Sequence, residues 1–175
     1  MKKLRRRVHA LPVAVLCLMV VGGAAAFAQR QYASKAQNGR PEVKVVLSGA
    51  VERNAVRLPV EKVASVTPGE TLDWTITSQN EGSAPAHEYK TVGQIPRGTS
   101  YIAGSATADG SASVTYSIDN GQSYTAQPMI EEKQSDGSMK RVAAPVSMYT
   151  QVRYEWADPL ADGGKLTASY KVHVK

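Results

Sequence analysis

The sequence predicts an all-β chain, an antiparallel two-sheet sandwich of the immunoglobulin-like kind preceded by a cleaved signal peptide. Three observations carry that expectation. Leu72, Trp74 and Ile76 alternate with Asp73, Thr75 and Thr77, and an extended backbone sends such apolar side chains to one face and the polar ones to the other. Short segments of this type recur, separated by turns rich in Gly, Pro and Asn, as in a sandwich. No helical periodicity appears beyond residue 28, so the apolar strand faces have only one another to bury against.

The N-terminal segment reads as an export signal. Lys2, Lys3, Arg5, Arg6 and Arg7 form a basic region, Leu11 to Val21 an apolar one, and Ala26-Phe27-Ala28 a small-x-small cleavage site. An uncleaved anchor would need roughly 20 apolar residues, and this run ends sooner, in Gly22, Gly23 and alanines. The domain organisation is therefore a signal peptide over 1–28, a flexible leader over 29–41 and a β-sandwich domain over 42–175, with no stable membrane span after cleavage. Arg5-Arg6-Arg7 resembles a twin-arginine signal, but no cofactor motif follows that would require export of a folded chain. The general secretory route is expected, to the periplasm, the outer envelope or the exterior.

Removal of that segment changes what the charge means. The chain carries 21 Lys and Arg against 15 Asp and Glu, formally +6. Five of the basic residues precede Gln29, which leaves 16 against 15, a net charge of +1. No basic patch interleaved with aromatics survives, which excludes a nucleic-acid binder. The single cysteine, Cys17, follows Val15-Leu16 inside the apolar run, away from any lipoprotein cleavage point. The mature chain is expected to lack disulfides and to depend on its core alone.

Gln29 to Pro41 is polar, contains Asn38-Gly39 and has no periodicity, as a solvated leader would. Val43, Val45 and Leu47 then alternate into a strand that runs to Val51 and a turn around Asn54. Val56 to Val66 reads as extended, with Pro59 marking an edge position or a bulge because proline has no amide to donate. Thr67-Pro68-Gly69-Glu70 has the composition of a type II turn. The strand of Trp74 closes at Asn80-Glu81-Gly82-Ser83 and is followed by a strand over Glu88 to Gln94, a corner at Ile95-Pro96-Arg97-Gly98 and a strand over Thr99 to Ala103. Gly104 to Gly110 reads as a loop.

Val114 and Tyr116 alternate with polar neighbours, and Asp119-Asn120-Gly121 is the strongest hairpin signal in the chain, since Asn-Gly fits the two positive-φ positions of a type I′ turn. Gln127 to Pro145 is the least regular stretch; Asp136-Gly137 makes it either an extended β-arm or a surface loop. Val152, Tyr154 and Trp156 share one strand face, and Leu166, Ala168, Tyr170, Val172 and Val174 share another. Trp74, Trp156, Tyr154 and Tyr170 are the candidate core, each large ring removing roughly 150–250 Å² from water. Trp74→Ala is expected to cost about 3–5 kcal/mol.

Four stretches, VTPGETLDWTITSQNEGSAPA, QIPRGTSYIAGS, VTYSIDNGQSY and YTQVRYEWADPLADGGKLTASYKVHVK, together resemble the bacterial cell-surface repeat family known as domain of unknown function eleven. The resemblance spans Val63 to Lys175. Pro68-Gly69-Glu70, Asn80-Glu81-Gly82 and Ile95-Pro96-Arg97-Gly98-Thr99-Ser100-Tyr101 match the family's proline-glycine, asparagine-x-glycine and leucine-proline-x-glycine-threonine-x-tyrosine positions, and Val152 to Trp156 resembles its penultimate strand. Two features depart from it: Gly93-Gln94 stands where the family has aspartate-proline, and the motifs occur once, with no internal repeat. The resemblance implies an immunoglobulin-like sandwich in exported and envelope proteins, used as a spacer or adhesion module, and it brings no catalytic residues.

The sequence nominates no catalytic, cofactor-binding or metal-ligating residue. His87 and His173 fall on a turn and on an outward strand position, without metal-ligand spacing. Asp109, Asp119, Asp158 and Asp162 lie in loops that would need to converge to hold Ca²⁺, and turn chemistry accounts for each one singly. No nucleophile elbow or phosphate-cradling glycine loop occurs. The expectation is a non-enzyme, an exported module with a structural or protein- or ligand-binding role in the bacterial cell envelope. Its expected partners are another envelope protein or a surface glycan, with the chain itself monomeric. One alternative is a self-assembling extracellular fibre subunit that exchanges its leader or first strand. The other, a hydrolase with a loop-built site, has no motif behind it.

Overall fold

The computed structural model describes residues 39–54 and 56–175. The expected signal peptide and most of the leader lie outside the described residues. The described residues contain eleven strands, β1 (Val43–Arg53), β2 (Val56–Pro59), β3 (Thr71–Asn80), β4 (Lys90–Gln94), β5 (Thr99–Tyr101), β6 (Thr107–Ala108), β7 (Ala112–Ser117), β8 (Met129–Lys133), β9 (Met139–Ala143), β10 (Gln151–Trp156) and β11 (Lys165–Val174). All pairings are antiparallel, and the described residues contain no α-helix, only two single 3₁₀ turns.

The strands form three sheets. The largest has the order β2-β1-β3-β11-β5, with β6 also pairing with β11; the second is β4-β10-β7; the third is the hairpin β8-β9. In the first sheet β3 is central, with Trp74 opposite Gly49 on β1 and opposite Tyr170 on β11. Alternation decides which side chains are buried. Leu72 and Ile76 on β3, Val152, Tyr154 and Trp156 on β10, and Ala168, Tyr170 and Val172 on β11 are buried together with Val51 and Tyr101 in one hydrophobic cluster. That cluster takes side chains from both larger sheets. Two tyrosines also bond across: the Tyr154 hydroxyl donates to the Ser169 carbonyl at 2.6 Å, and the Tyr170 hydroxyl to the Gln94 carbonyl at 2.5 Å.

Gly93 lies where Tyr170 crosses. A Cβ at this position would sit 2.3 Å from the Tyr170 ring, so only glycine leaves room for the aromatic. Gly93→Ala is expected to lower the unfolding free energy by about 1–3 kcal/mol through overpacking, read from urea denaturation with an unchanged slope.

Several local expectations are corrected. The extended segment from Val56 ends at Pro59, because proline terminates the ladder and the chain turns through a 3₁₀ turn at Val60–Lys62. The loop at Gly104 to Gly110 contains β6, a two-residue strand held to β11 through Ala108 and Thr107. Asn120 and Gly121 do take positive φ, 58° and 91°, yet no two-residue hairpin results. The chain returns only at an isolated bridge between Tyr116 and Thr125, because Asp119 spans a wider loop by accepting from Ser117 Oγ at 2.7 Å and from the Ser123 amide at 3.0 Å. Trp74 is only partly buried. It lies over Gly49, whose missing side chain makes room for the ring, and its indole N–H has no hydrogen-bond partner among the described residues.

The expected turn at Thr67 to Glu70 is present, with Gly69 at φ 93° and the Glu70 amide donating to the Thr67 carbonyl at 3.2 Å. Arg53, at the end of β1, holds it. Its Nε and Nη2 donate to the two Glu70 carboxylate oxygens at 2.5 and 2.9 Å, and Nη2 also donates to the Ser65 carbonyl at 2.7 Å. The guanidinium, helped by the Thr67 amide, lowers the Glu70 pKa from 4.5 to about 2. A lowered carboxylate pKa contributes stability that is complete above pH 4.5 and is lost as pH falls through about 2. The melting temperatures of wild type and Glu70→Gln should therefore differ above pH 4.5 and converge between pH 4.5 and 2, as followed by circular dichroism.

Candidate interaction surface

Turn chemistry engages three loop carboxylates, Asp109, Asp119 and Asp136. Asp119 is held by Ser123 and Ser117, whose hydrogen bonds push its pKa well below the usual carboxylate range. Asp109 Oδ2 accepts from the Thr167 amide at 2.8 Å, and its carbonyl accepts from Trp156 Nε1 at 2.7 Å. Asp136 shapes the tip of β8-β9 by accepting from the Ser138 amide and hydroxyl at 2.9 and 2.7 Å. Among the described residues, no three His, Cys, Asp or Glu side chains come together as a metal site. The structure thus does not gather Asp109, Asp119, Asp158 and Asp162 into a calcium site. His87 and His173 are both exposed and lie on different parts of the chain.

The aromatic groups outside the expected four form a second layer of organisation. Tyr101, Tyr116 and Tyr149 pack together with centroid separations of 4.9–5.8 Å, Tyr101 and Tyr149 stacked and Tyr116 tilted against both, and the Tyr101 and Tyr116 hydroxyls lie 3.1 Å apart. Burial raises the pKa of Tyr116 far above 10. These rings join β5 of one sheet to β7 of the other. The sequence signal that could have found Tyr101 was its place after the Pro-Gly corner, where Thr99 Oγ1 donates back to the Pro96 carbonyl at 2.7 Å and sends the next-but-one side chain inward.

Two exposed features remain, both in stretches the sequence left open: Gln127 to Pro145 and the first strand, named there only as a segment a fibre subunit would exchange. The stretch Gln127 to Pro145, which the sequence left open between arm and loop, is a β-arm. Its ladder pairs Glu131 with Arg141 and Glu132 with Lys140, opposite charges across the strands, and every residue over 131–141 except Gln134 is exposed. The other feature is β1, whose apolar residues Val45, Val46 and Leu47 stand in solvent. Beside it Ser48, Gly49, Ala50, Arg57, Pro59 and Glu61 line a shallow groove of about 350 Å³.

The chain matches no protein-family model, no curated protein and no solved structure.

Proposed function

We propose that the chain is an exported, non-catalytic module of the bacterial cell envelope, with a structural or protein- or ligand-binding role, and that its two larger sheets close on one another as an immunoglobulin-like sandwich. The shared aromatic cluster and the Tyr154 and Tyr170 bonds between sheets support the sandwich. The resemblance to the domain-of-unknown-function-eleven repeats supports it too, because the matched residues occupy joints. Pro68-Gly69 makes the turn into β3, and Asn80-Glu81-Gly82 makes the turn out of it.

The observation that carries the role is the β8-β9 arm. Two strands alone are marginally stable in water, and this pair stands exposed with Glu131, Glu132, Lys133, Asp136, Lys140 and Arg141 on its surface. Such an arm suits a partner in the envelope, a protein or a surface glycan. The second reading, a self-assembling extracellular fibre subunit, is favoured by the uncovered edge of β1.

Cell fractionation tests the export reading. The chain should be recovered in the envelope or medium with Gln29 as its first residue, and a full-length cytoplasmic product would overturn it. Replacing residues 131–141 by a short Gly-Ser turn tests the arm. The variant should melt as the wild type does and lose cross-linking to its envelope partner; retained cross-linking would remove the arm from the binding role.

A further inference from the structure

We propose that the chain forms a twofold-symmetric dimer in which the edge of β1 at Val43–Leu47 adds, antiparallel, to the same edge of a second copy. The inference goes beyond the envelope reading and does not depend on export. β2 covers β1 only over Ala50–Arg53. Among the described residues, the stretch from Val43 to Gly49 has β3 on one side and no strand on the other.

The ladder shows which backbone groups are free. The Glu81 amide donates to the Glu42 carbonyl at 2.8 Å, and antiparallel hydrogen-bonded pairs alternate with non-bonded ones. Lys44, Val46 and Ser48 therefore turn their amides and carbonyls toward β3, and Val43, Val45 and Leu47 turn theirs outward. The side chains here are apolar on both faces: Val45 and Leu47 are 51% and 52% exposed on one, and Val46 is 50% exposed on the other. Native sheet edges are normally blunted by charge, proline or extreme shortness. The other outer strands of this sheet, β2 and β5, are four and three residues long, whereas β1 has Lys44 as its one charge between Val43 and Ser48.

The edge is complementary to itself. In an antiparallel register centred on Val45, Val45 faces its own copy and Val43 faces Leu47, so each outward amide meets an outward carbonyl and the apolar side chains meet in the middle. Lys44 then lies opposite Val46, where its stem can cover the valine, and its ammonium stays beside Glu81, 3.8 Å away in the same chain. A register centred on Lys44 would set like charges directly opposite, which is unfavourable. Pro41 has no amide to extend the ladder one way, and β2 ends it the other way. Because both copies use the same surface, the assembly closes at two and does not propagate as a fibre.

Sedimentation equilibrium tests this on protein recovered from cells expressing the full sequence, over a range of concentrations. The mass should rise to twice that of the single chain and stop there. Val45→Pro, which removes an outward amide at an edge position that tolerates proline, and Val46→Lys should each return it to a monomer that melts as the wild type does at dilutions where the wild type is itself monomeric. Val92→Lys on β4, the exposed valine of the other sheet's edge, should leave the dimer intact. A monomer at every concentration, a dimer that persists in both β1 variants, or a mass that climbs without limit would each overturn the proposal. None of these masses bears on export, which fractionation reads separately.

Discussion

Tyr154→Ala should lower the unfolding free energy by about 3–5 kcal/mol, and Trp74→Ala by about 2 kcal/mol, in paired urea titrations. The contrast comes from where the two rings lie. Tyr154 is 0% exposed, donates its hydroxyl to the Ser169 carbonyl at 2.6 Å and stacks on Trp156 with ring centroids 6.2 Å apart. Truncation removes the ring from the middle of the cluster, leaves a cavity and abandons a carbonyl. Trp74 lies against the cluster from its margin and keeps part of its surface in solvent, so less than its full roughly 150–250 Å², at about 25 cal/mol per Å², is at stake. The indole also has a buried N–H with no partner among the described residues, and losing an unsatisfied donor offsets part of the cost. Equal losses in the two variants would mean that Trp74 is as deeply packed as Tyr154. For a domain whose total stability is about 5–15 kcal/mol, the Tyr154 variant should sit near the edge of folding at 37 °C.

The same contrast explains what could be read from the sequence. β3, β10 and β11 were legible because their period of two is sustained and their two faces differ: Val152, Tyr154 and Trp156 are buried while Gln151, Arg153 and Glu155 are not. The period also marked Val43, Val45 and Leu47 as one apolar face, but alternation cannot say how far the covering sheet reaches. Val51 is in the cluster, and Val45 and Leu47 are in solvent. β6 has two residues, too few to show any period. β8 and β9 expose both faces over most of their length, so selection for a buried face leaves no alternation there, and only the Asp136-Gly137 tip betrayed the hairpin. Ser117 and Ser123 could not be seen to capture Asp119, because that competition between side chain and backbone is settled by geometry. Of the surfaces now proposed to meet partners, the arm was legible as a possibility, and the open edge of β1 required knowing where β2 stops.

Asn80→Ala should also cost about 3–5 kcal/mol, for a reason unrelated to hydrophobic burial. Asn80 is 0% exposed, and its side-chain amide is fully used. Oδ1 accepts from the Glu42 and Gly82 amides, each at 3.1 Å, and Nδ2 donates to the Ala84 and Leu160 carbonyls at 2.7 and 3.1 Å. Its backbone is engaged as well, donating to the Gly164 carbonyl and accepting from the Gly163 amide, both at 2.9 Å. One side chain thus ties the start of β1, the turn after β3 and the segment before β11. Alanine orphans the Glu42 and Gly82 amides and the Ala84 carbonyl at once, while the Leu160 carbonyl keeps the Ala86 amide at 2.9 Å, and each buried orphan costs about 1–3 kcal/mol, with water able to reach those that are only partly buried. Gly82 restricts any relaxation, since its Cα faces the Arg40 to Glu42 backbone so closely that a Cβ would lie 2.2 Å from the Arg40 carbonyl oxygen. Asn80→Asp keeps the shape but turns the donor into an acceptor aimed at the Ala84 and Leu160 carbonyls, so it should be at least as damaging as alanine at neutral pH. Hydrogen exchange distinguishes this knot from a general loss of packing: the Glu42 and Gly82 amides should lose protection in Asn80→Ala while the Tyr154 amide keeps its own. A loss below about 1 kcal/mol, or a uniform fall in protection across β10, would show that the amide is not what holds these three segments together.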